Sequence, residues 1–384
     1  MAQRYLHVEV SQAQSSKRVG AVSGDVIVSE RDAVATTIVV ADGIGSGVKA
    51  HLFATMVTAR FLELVRRDFS PRQAFSQLVQ TMHQARGTDL PYAVFTVIRV
   101  LNDGETTILS YEMPFPLLFS QNHLSLITAR TFPFESEVIG EANLFLEPGE
   151  GILAFSDGIT MAGMGMTLPL GWSLEGIRCY ANDILADRTP ARELARLVHD
   201  QARLLWQGPG GDDCSVVFAH CRRGEMVTVF SGPPLDKAMD SQVVSRFLAA
   251  PGTKVVCGAM TAKIVARGVG KPLRVEQDAQ SAIAPPRYYL NSVDLVTEGA
   301  VTLNQAYNVL EADPGMLEND TGVTLLCQLL LKADRIQFLV GGAENAGHTD
   351  ISFRQKGILP RRKIIQLLAE KLRELSKLCL IDTF

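Results

Sequence analysis

The sequence predicts an α+β protein: packed antiparallel sheets flanked by helices, followed by a smaller α/β region. Three observations predict it. The β-rich runs come in blocks and the helical patterns in pairs, so the order lacks the strict alternation of a doubly wound sheet. Two helical patterns adjoin at 48–67 and 70–85. A polar break, Cys221-Arg222-Arg223-Gly224-Glu225-Met226, precedes a fresh apolar strand from Val227. The 384 residues suit two domains, since compact domains run to ~100–200 residues. The boundary is expected between 222 and 223, giving domains 1–222 and 223–384.

Element by element, 19–30 and 35–41 read as strands around the polar turn Arg31-Asp32. The helix from Val48 to Arg67 repeats Leu52, Met56, Ala59, Leu62 and Val65, a stripe expected to face the core. Ser70-Pro71 starts the next helix, with proline in its first turn. Strand-like runs follow at Tyr92–Val100, Thr106–Glu112 and Pro116–Phe119, the first two joined by the turn Asn102-Asp103-Gly104. After the turn Pro148–Gly151 comes a buried strand, Ile152–Phe155. Four glycines and prolines in Met161–Trp172 suggest a mobile flap, with Met161, Met164 and Met166 packed inside it. A helix from Pro190 to Trp206 is broken by Gly208-Pro209-Gly210-Gly211, and Val216–His220 is an apolar strand.

Beyond the break, Lys254–Cys257, Ser292–Thr297 and Ile336–Val340 read as strands. Thr261–Ala266, Leu303–Leu310 and Arg361–Lys377 read as helices. The last carries the stripe Ile364, Leu367, Leu368, Lys371, Leu372 and Leu375. Asn345-Ala346-Gly347-His348 reads as a turn. Gly258, Gly268-Val269-Gly270 and Gly341-Gly342 flank apolar runs, where α/β folds bind anions. No dinucleotide fingerprint or P-loop spacing is present, so the region is expected to regulate, to dimerise (a homodimer) or simply to pack.

Composition narrows the function. At 47% hydrophobic and 20% charged residues the chain can build real cores. A net charge of −4 offers no basic field for nucleic acid. Six scattered cysteines without a C-x-x-C pair fit reduced thiols. No signal peptide and no run of ~20 apolar residues stands out, so a cytoplasmic protein that does not cross a membrane is expected. The seven histidines show no metal-ligand spacing.

Four acidic sites carry the chemistry: Gly24-Asp25, Asp42-Gly43, Asp157-Gly158 and Gly211-Asp212-Asp213. Each sets an aspartate beside a glycine or at the edge of a β-run. An aspartate at a strand end aims its carboxylate outward, and the glycine clears space and lets a carbonyl approach. Hard cations such as Mg²⁺ and Mn²⁺ take oxygen ligands. Four carboxylates and a carbonyl can hold two of them to activate water and neutralise a phosphoryl group.

Here a resemblance becomes specific. ADGIGSG before a helix, then FSDGIT, then GGDDCSVVF resembles the metal-dependent protein phosphatase family, protein phosphatase 2C in the broad sense. SGDVIV and PGEGILAFSDGIT are similar to its bacterial SpoIIE-type branch, over roughly residues 17–222. The resemblance implies an αββα sandwich and a serine/threonine phosphoprotein phosphatase with two Mn²⁺ or Mg²⁺ ions. Asp25 and Asp42 would lie nearest a bridging water that attacks phosphorus, Gly43 would offer its carbonyl, and Asp157 and Asp212 would complete one shell. Asp212 is favoured over Asp213, which would support the site or face solvent. The implied partner is a phosphoprotein, such as a sigma-factor regulator of the anti-sigma-factor-antagonist kind.

Departures from the family remain. No arginine stands where many members grip phosphate, and Lys17 and Arg18 are the nearby substitutes or mere surface charges. Ser215 replaces a threonine and keeps the hydroxyl. His51, one turn into the helix after Asp42, is a candidate acid for the leaving oxygen or a packed helix residue. The competing expectation is a regulatory scaffold with a degenerate phosphatase-like domain, binding partners or ligands through its C-terminal domain.

Overall fold

The computed structural model describes residues 5–88, 90–134, 137–207, 211–275, 287–312, 320–343 and 357–384. The turn expected at Asn345–His348 and the break at Gly208–Gly210 lie outside them. Contacts divide the chain into two compact units after Arg223.

The first unit, Leu6–Arg223, runs β1 (Leu6–Ser15), β2 (Asp25–Arg31), β3 (Ala35–Gly43), α1 (Val48–Arg66), α2 (Pro71–Gly87), β4 (Ala93–Leu101), β5 (Glu105–Tyr111), β6 (Leu117–Ser120), β7 (His123–Leu126), β8 (Arg130–Phe134), β9 (Glu137–Phe145), β10 (Gly151–Phe155), α3 (Asp157–Thr160), α4 (Ser173–Ala186), α5 (Leu194–Leu205) and β11 (Cys214–Arg223). Its sheets have the orders β2-β3-β4-β5-β9-β8 and β1-β11-β10-β6-β7, with antiparallel neighbours.

The two sheets share a core in which Val39, Ile98 and Ile108 of one meet Val8, Ala154 and Val217 of the other. Helices α1 and α2 cover the first sheet through Phe61 and Phe75. Helices α4 and α5 cover the second through Ile177 and Val198. This is the αββα sandwich. β3 is buried along nearly its whole length because it has a helix on one face and a sheet on the other, so Ile38-Val39-Val40-Ala41 need not alternate with polar residues. α2 starts with a complete capping box, Ser70 Oγ accepting from Gln73 N and Gln73 Oε1 from Ser70 N.

Several expectations are corrected. Residues 19–24 are not strand; Gly20 turns at φ 77° and Val19 is exposed. β1 was unforeseen because only one end of it is buried and the rest is rich in glutamine and serine. α4 begins straight after the expected flap and buries Ile177, Ala181 and Leu185 at i, i+4, i+8. Met161, Met164 and Met166 face outward rather than packing. α1 turns its expected stripe inward only in its second half, where Leu62 is buried and Val65 packs against the core. Leu52, Met56 and Ala59 are exposed, and Ala50, Ala54, Val57, Thr58 and Phe61 are buried. The helix lies so close to the sheet that small residues are needed at its start.

The second unit, which includes Tyr5, runs β12 (Met226–Ser231), α6 (Asp240–Ala249), β13 (Thr253–Cys257), α7 (Ala259–Val269), β14 (Arg274–Val275), β15 (Tyr288–Tyr289), β16 (Leu295–Thr297), α8 (Ala300–Val309), α9 (Gly322–Lys332), β17 (Arg335–Val340), α10 (Arg361–Glu374) and β18 (Leu378–Thr383). The order is β14-β15-β16-β13-β12-β17-β18, parallel from β16 to β18. Two clusters, around Phe338 with Leu368 and around Phe230 with Phe247, fill the two faces. α6, α9 and β18 were not foreseen, and α10 stops at Glu374, leaving Leu375 exposed. Among the described residues no helix is long and apolar enough to cross a membrane. All six cysteines are free, and only Cys179 is exposed.

The corrected face of α1 gives a stability test. Phe61→Ala should cost about 3–5 kcal/mol of unfolding free energy, and Met56→Ala no more than about 0.5 kcal/mol, both read by urea titration.

Candidate metal centre

The pairing of β2 with β3 sets Asp25 directly opposite Asp42. Asp25 opens β2 and Asp42 is the last residue but one of β3, so the two carboxylates share one end of the sheet. Gly43 follows. A Cβ there would overlap the carbonyl oxygen of Ala50 in the first turn of α1, so only glycine lets the helix sit against the strand end. Asp157 arrives from the other sheet as the first residue of α3, after β10. Its neighbour Gly158 is equally constrained, since a Cβ would overlap the carbonyl oxygen of Asp213. Asp212 precedes β11 and its Oδ1 accepts from Asp213 N at 2.9 Å.

These groups act on one another electrostatically. Burial pushes the Asp25 carboxyl up to about 6, and the charges of Asp213 and Asp157 add to this, while the nearby hydroxyls of Ser215 and Ser156 pull it down. Burial also pushes Asp42 up, to about 10, with Asp25, Asp157 and Asp212 all raising it further. Asp212 is raised by burial and by Asp157, against the opposing charge of Lys17. Asp25 is 1% exposed. Among the described residues neither of its carboxylate oxygens completes a hydrogen bond, nor does Asp157 Oδ1. Buried acceptors left without a donor are costly, and a cation is what would satisfy them.

Asp213 has a different task. Its Oδ1 accepts from Lys17 N at 2.6 Å and its Oδ2 from Gly24 N at 2.7 Å, so it ties the segment before β2 to the start of β11. Its two oxygens are thus engaged by main chain. Lys17 Nζ lies 3.9 Å from Asp212, at the edge of the acidic cluster. His51 Nδ1–H donates to the carbonyl of Ser23 at 2.9 Å, holding α1 to the residues before Asp25. Gln14 and Ser156 were missed by sequence reasoning. Gln14 Nε2 donates to the Asp25 carbonyl and to Ser215 Oγ, both at 2.9 Å, and Ser156 Oγ accepts from Ser215 N. Nothing in the sequence around Gln14 marks it, since its role comes from β1 lying beside β11. Cys214 offers no nucleophile, because burial pushes its thiol up to about 12.

The residues fit a hard divalent cation. Among the described residues no three acidic, histidine or cysteine side chains form a ligand cage by themselves. Mg²⁺-type ions do not need one, because they take one or two carboxylates and fill the remaining positions with other oxygens. Asp25, Asp42, Asp157, Asp212 and the Gly43 carbonyl are the donors that could serve.

The sequence family Stage II sporulation protein E (SpoIIE) matches residues 32–222. Residues 32–222 belong to the SpoIIE family. The match takes in Asp42, Asp157 and Asp212 and begins after Asp25, which reaches the SpoIIE domain's acidic cluster through strand pairing. Similar solved structures include the SpoIIE phosphatase domain of Bacillus subtilis, 16% identical, covering 57% of this chain and 94% of that one, with TM-score 0.44. The RsbU and RsbW domains of a Mycobacterium tuberculosis protein are 16% identical over 64% of this chain and 68% of theirs, with TM-score 0.45. The SiaA PP2C domain of Pseudomonas aeruginosa is 17% identical over 55% and 84%, with TM-score 0.43. No curated protein sequence matches the chain.

The raised carboxyls of the SpoIIE domain fix the sign of a pH effect. Their protonated forms favour the fold, so this contribution is complete below the ordinary aspartate value of 3.8 and is lost as pH rises through about 6 for Asp25 and about 10 for Asp42. With chelator at pH 8, Asp42→Asn should therefore raise the melting temperature, by about 2–4 °C for each kcal/mol relieved. The gain should shrink toward pH 4. A variant less stable than the parent at both pH values would contradict the electrostatic account.

Proposed function

We propose that the SpoIIE domain is a metal-dependent phosphatase that removes phosphate from phosphoserine or phosphothreonine on a partner protein. The observation that carries this reading is the set of mutually facing carboxylates at one end of the sandwich, with buried oxygens of Asp25 and Asp157 lacking any hydrogen bond among the described residues. On this reading Asp25, Asp42, Asp157, Asp212 and the Gly43 carbonyl hold two Mn²⁺ or Mg²⁺ ions. Such ions acidify water and neutralise the charge that builds on a transferring phosphoryl group.

The chain's own residues do the positioning. Asp25 and Asp42 are fixed by strand register, so their separation does not depend on a loop. Asp213 and His51 hold the segment before Asp25 in place. With its Nδ1 proton committed to Ser23, His51 keeps Nε2 for exchanging a proton with the leaving oxygen. Lys17 Nζ, at the edge of the cluster, is placed to meet a phosphate oxygen that draws it from Asp212. Asp212 is about two-fifths exposed, which suits a phosphorylated side chain presented by a protein. The small regulators of the anti-sigma-factor-antagonist kind are the partner class this family suggests. Residues 1–222 would form the catalytic domain, and 223–384 an α/β domain that regulates or dimerises.

Hydrolysis of p-nitrophenyl phosphate and of a phosphoserine peptide should require Mn²⁺ or Mg²⁺ and stop with chelator. Asp42→Ala should lower the metal-supported rate by about 100-fold or more. A rate indifferent to chelator, or to that substitution, would return the domain to the scaffold reading. A separate series addresses Lys17. Lys17→Ala should raise KM several-fold for the phosphopeptide and leave the metal dependence unchanged, whereas unaltered kinetics would leave Lys17 a surface charge.

A further inference from the structure

The second unit has a feature that the phosphatase reading does not use. Its parallel strands run in the order β16-β13-β12-β17-β18. From β12 the chain moves outward on one side to β13 and β16, then returns to the other side of β12 for β17 and β18. The order therefore reverses between β12 and β17. In open α/β sheets the crevice at the carboxyl ends of two such strands is where ligands bind.

Those ends are built for close approach. Gly232 follows β12 with φ 88°, and Gly341 and Gly342 follow β17. A Cβ on Gly341 would overlap the carbonyl oxygens of Gly232 and Pro233, so the two loops lie main chain against main chain. The guanidinium of Arg361 rests where a Gly232 Cβ would be. Its Nη1 donates to the carbonyls of Gly341 at 3.3 Å and Ala343 at 3.1 Å. It thus lies across the point of reversal. Arg362 comes alongside, its Nη2 3.0 Å from the Cβ position of Gly342.

Among the described residues neither arginine has a carboxylate partner. Arg361, Arg362 and Lys363 make up the start of α10, whose first turn has no acidic residue. Cations at a helix N-terminus oppose its dipole, so the fold gains nothing electrostatically by placing three there. Burial, and then the charge of Arg362, lower the pKa of Arg361. An anion held by these side chains would relieve both costs, and the planar fork of arginine matches a phosphoryl group.

We propose that the crevice at the carboxyl ends of β12 and β17 binds a phosphate-bearing small molecule, with Arg361 and Arg362 gripping a phosphoryl group. The site lies wholly in the second unit and does not depend on the activity of the first. It makes that unit a ligand-sensing domain rather than a packing one.

Calorimetric titration of the full chain tests this, at constant ionic strength and with chelator present so that divalent cations cannot bridge phosphate to the acidic cluster. The probes are inorganic pyrophosphate and ATP. Saturable binding of either supports the site. Binding of both assigns recognition to the phosphoryl groups alone, and binding of ATP only assigns it to a nucleoside phosphate. Arg362→Gln, at an exposed position that should fold normally, should weaken binding at least tenfold. Arg361→Lys, which keeps the charge and loses the fork, should do likewise. Failure of both probes to bind at millimolar concentration, or undiminished binding by folded Arg362→Gln, would overturn the proposal.

Discussion

The repulsion among carboxylates buried at one end of a β-sandwich is the constraint on which the first unit depends. Asp25, Asp42, Asp157 and Asp212 approach from both sheets, and the charge of Asp157 adds to burial in raising the proton affinity of the other three. Such a cluster disfavours the folded state unless protons or cations compensate it. The surrounding architecture is what makes it tolerable. β2 and β3 are zipped in register up to the acidic pair, α1 is pressed against Gly43, and Asp213 ties together two segments far apart in sequence. Stability is given up at the site and recovered in the shared core behind it, where Val39, Ile98 and Val217 are buried.

That division between a costly rim and an apolar interior also explains the glycines. Gly43 and Gly158 are sites of contact between main chains, each beside an acidic residue. Replacing either would move a carboxylate by pushing on a helix or strand. The second unit uses the same device with the opposite charge. Gly232 and Gly341 bring two strand ends together beneath Arg361, and here the charged groups without an ion pair among the described residues are cations. The described residues thus include an acidic cluster and a basic one, each at the end of a sheet.

Much of the acidic site was legible because a strand end marked by an Asp-Gly pair is a local signal. Asp42-Gly43 and Asp157-Gly158 stand directly after buried apolar strands, and Asp212 directly before one. The difference between Asp212 and Asp213 is not local, since Asp213 is occupied by main-chain donors from Lys17 and Gly24. The inward face of the first half of α1 was misjudged for a similar reason. Leu52 and Met56 form an apolar row, but close packing against β3 selects the smaller Ala50 and Ala54. β1 was overlooked because a strand whose polar half carries Gln12 and Gln14 has little periodic signal, yet one of those glutamines braces Asp25.

By itself the sequence determined much of the succession of strands and helices around the acidic motifs, and marked the aspartates themselves, because hydrophobic period and glycine-flanked aspartates are encoded within a few residues. Tertiary structure alone decided which carboxylates meet, which one serves as a brace, and that Arg361 spans two strand ends. Those outcomes depend on register and on contacts between segments up to roughly two hundred residues apart, as between Gln14 and Ser215, and no local pattern records such pairings.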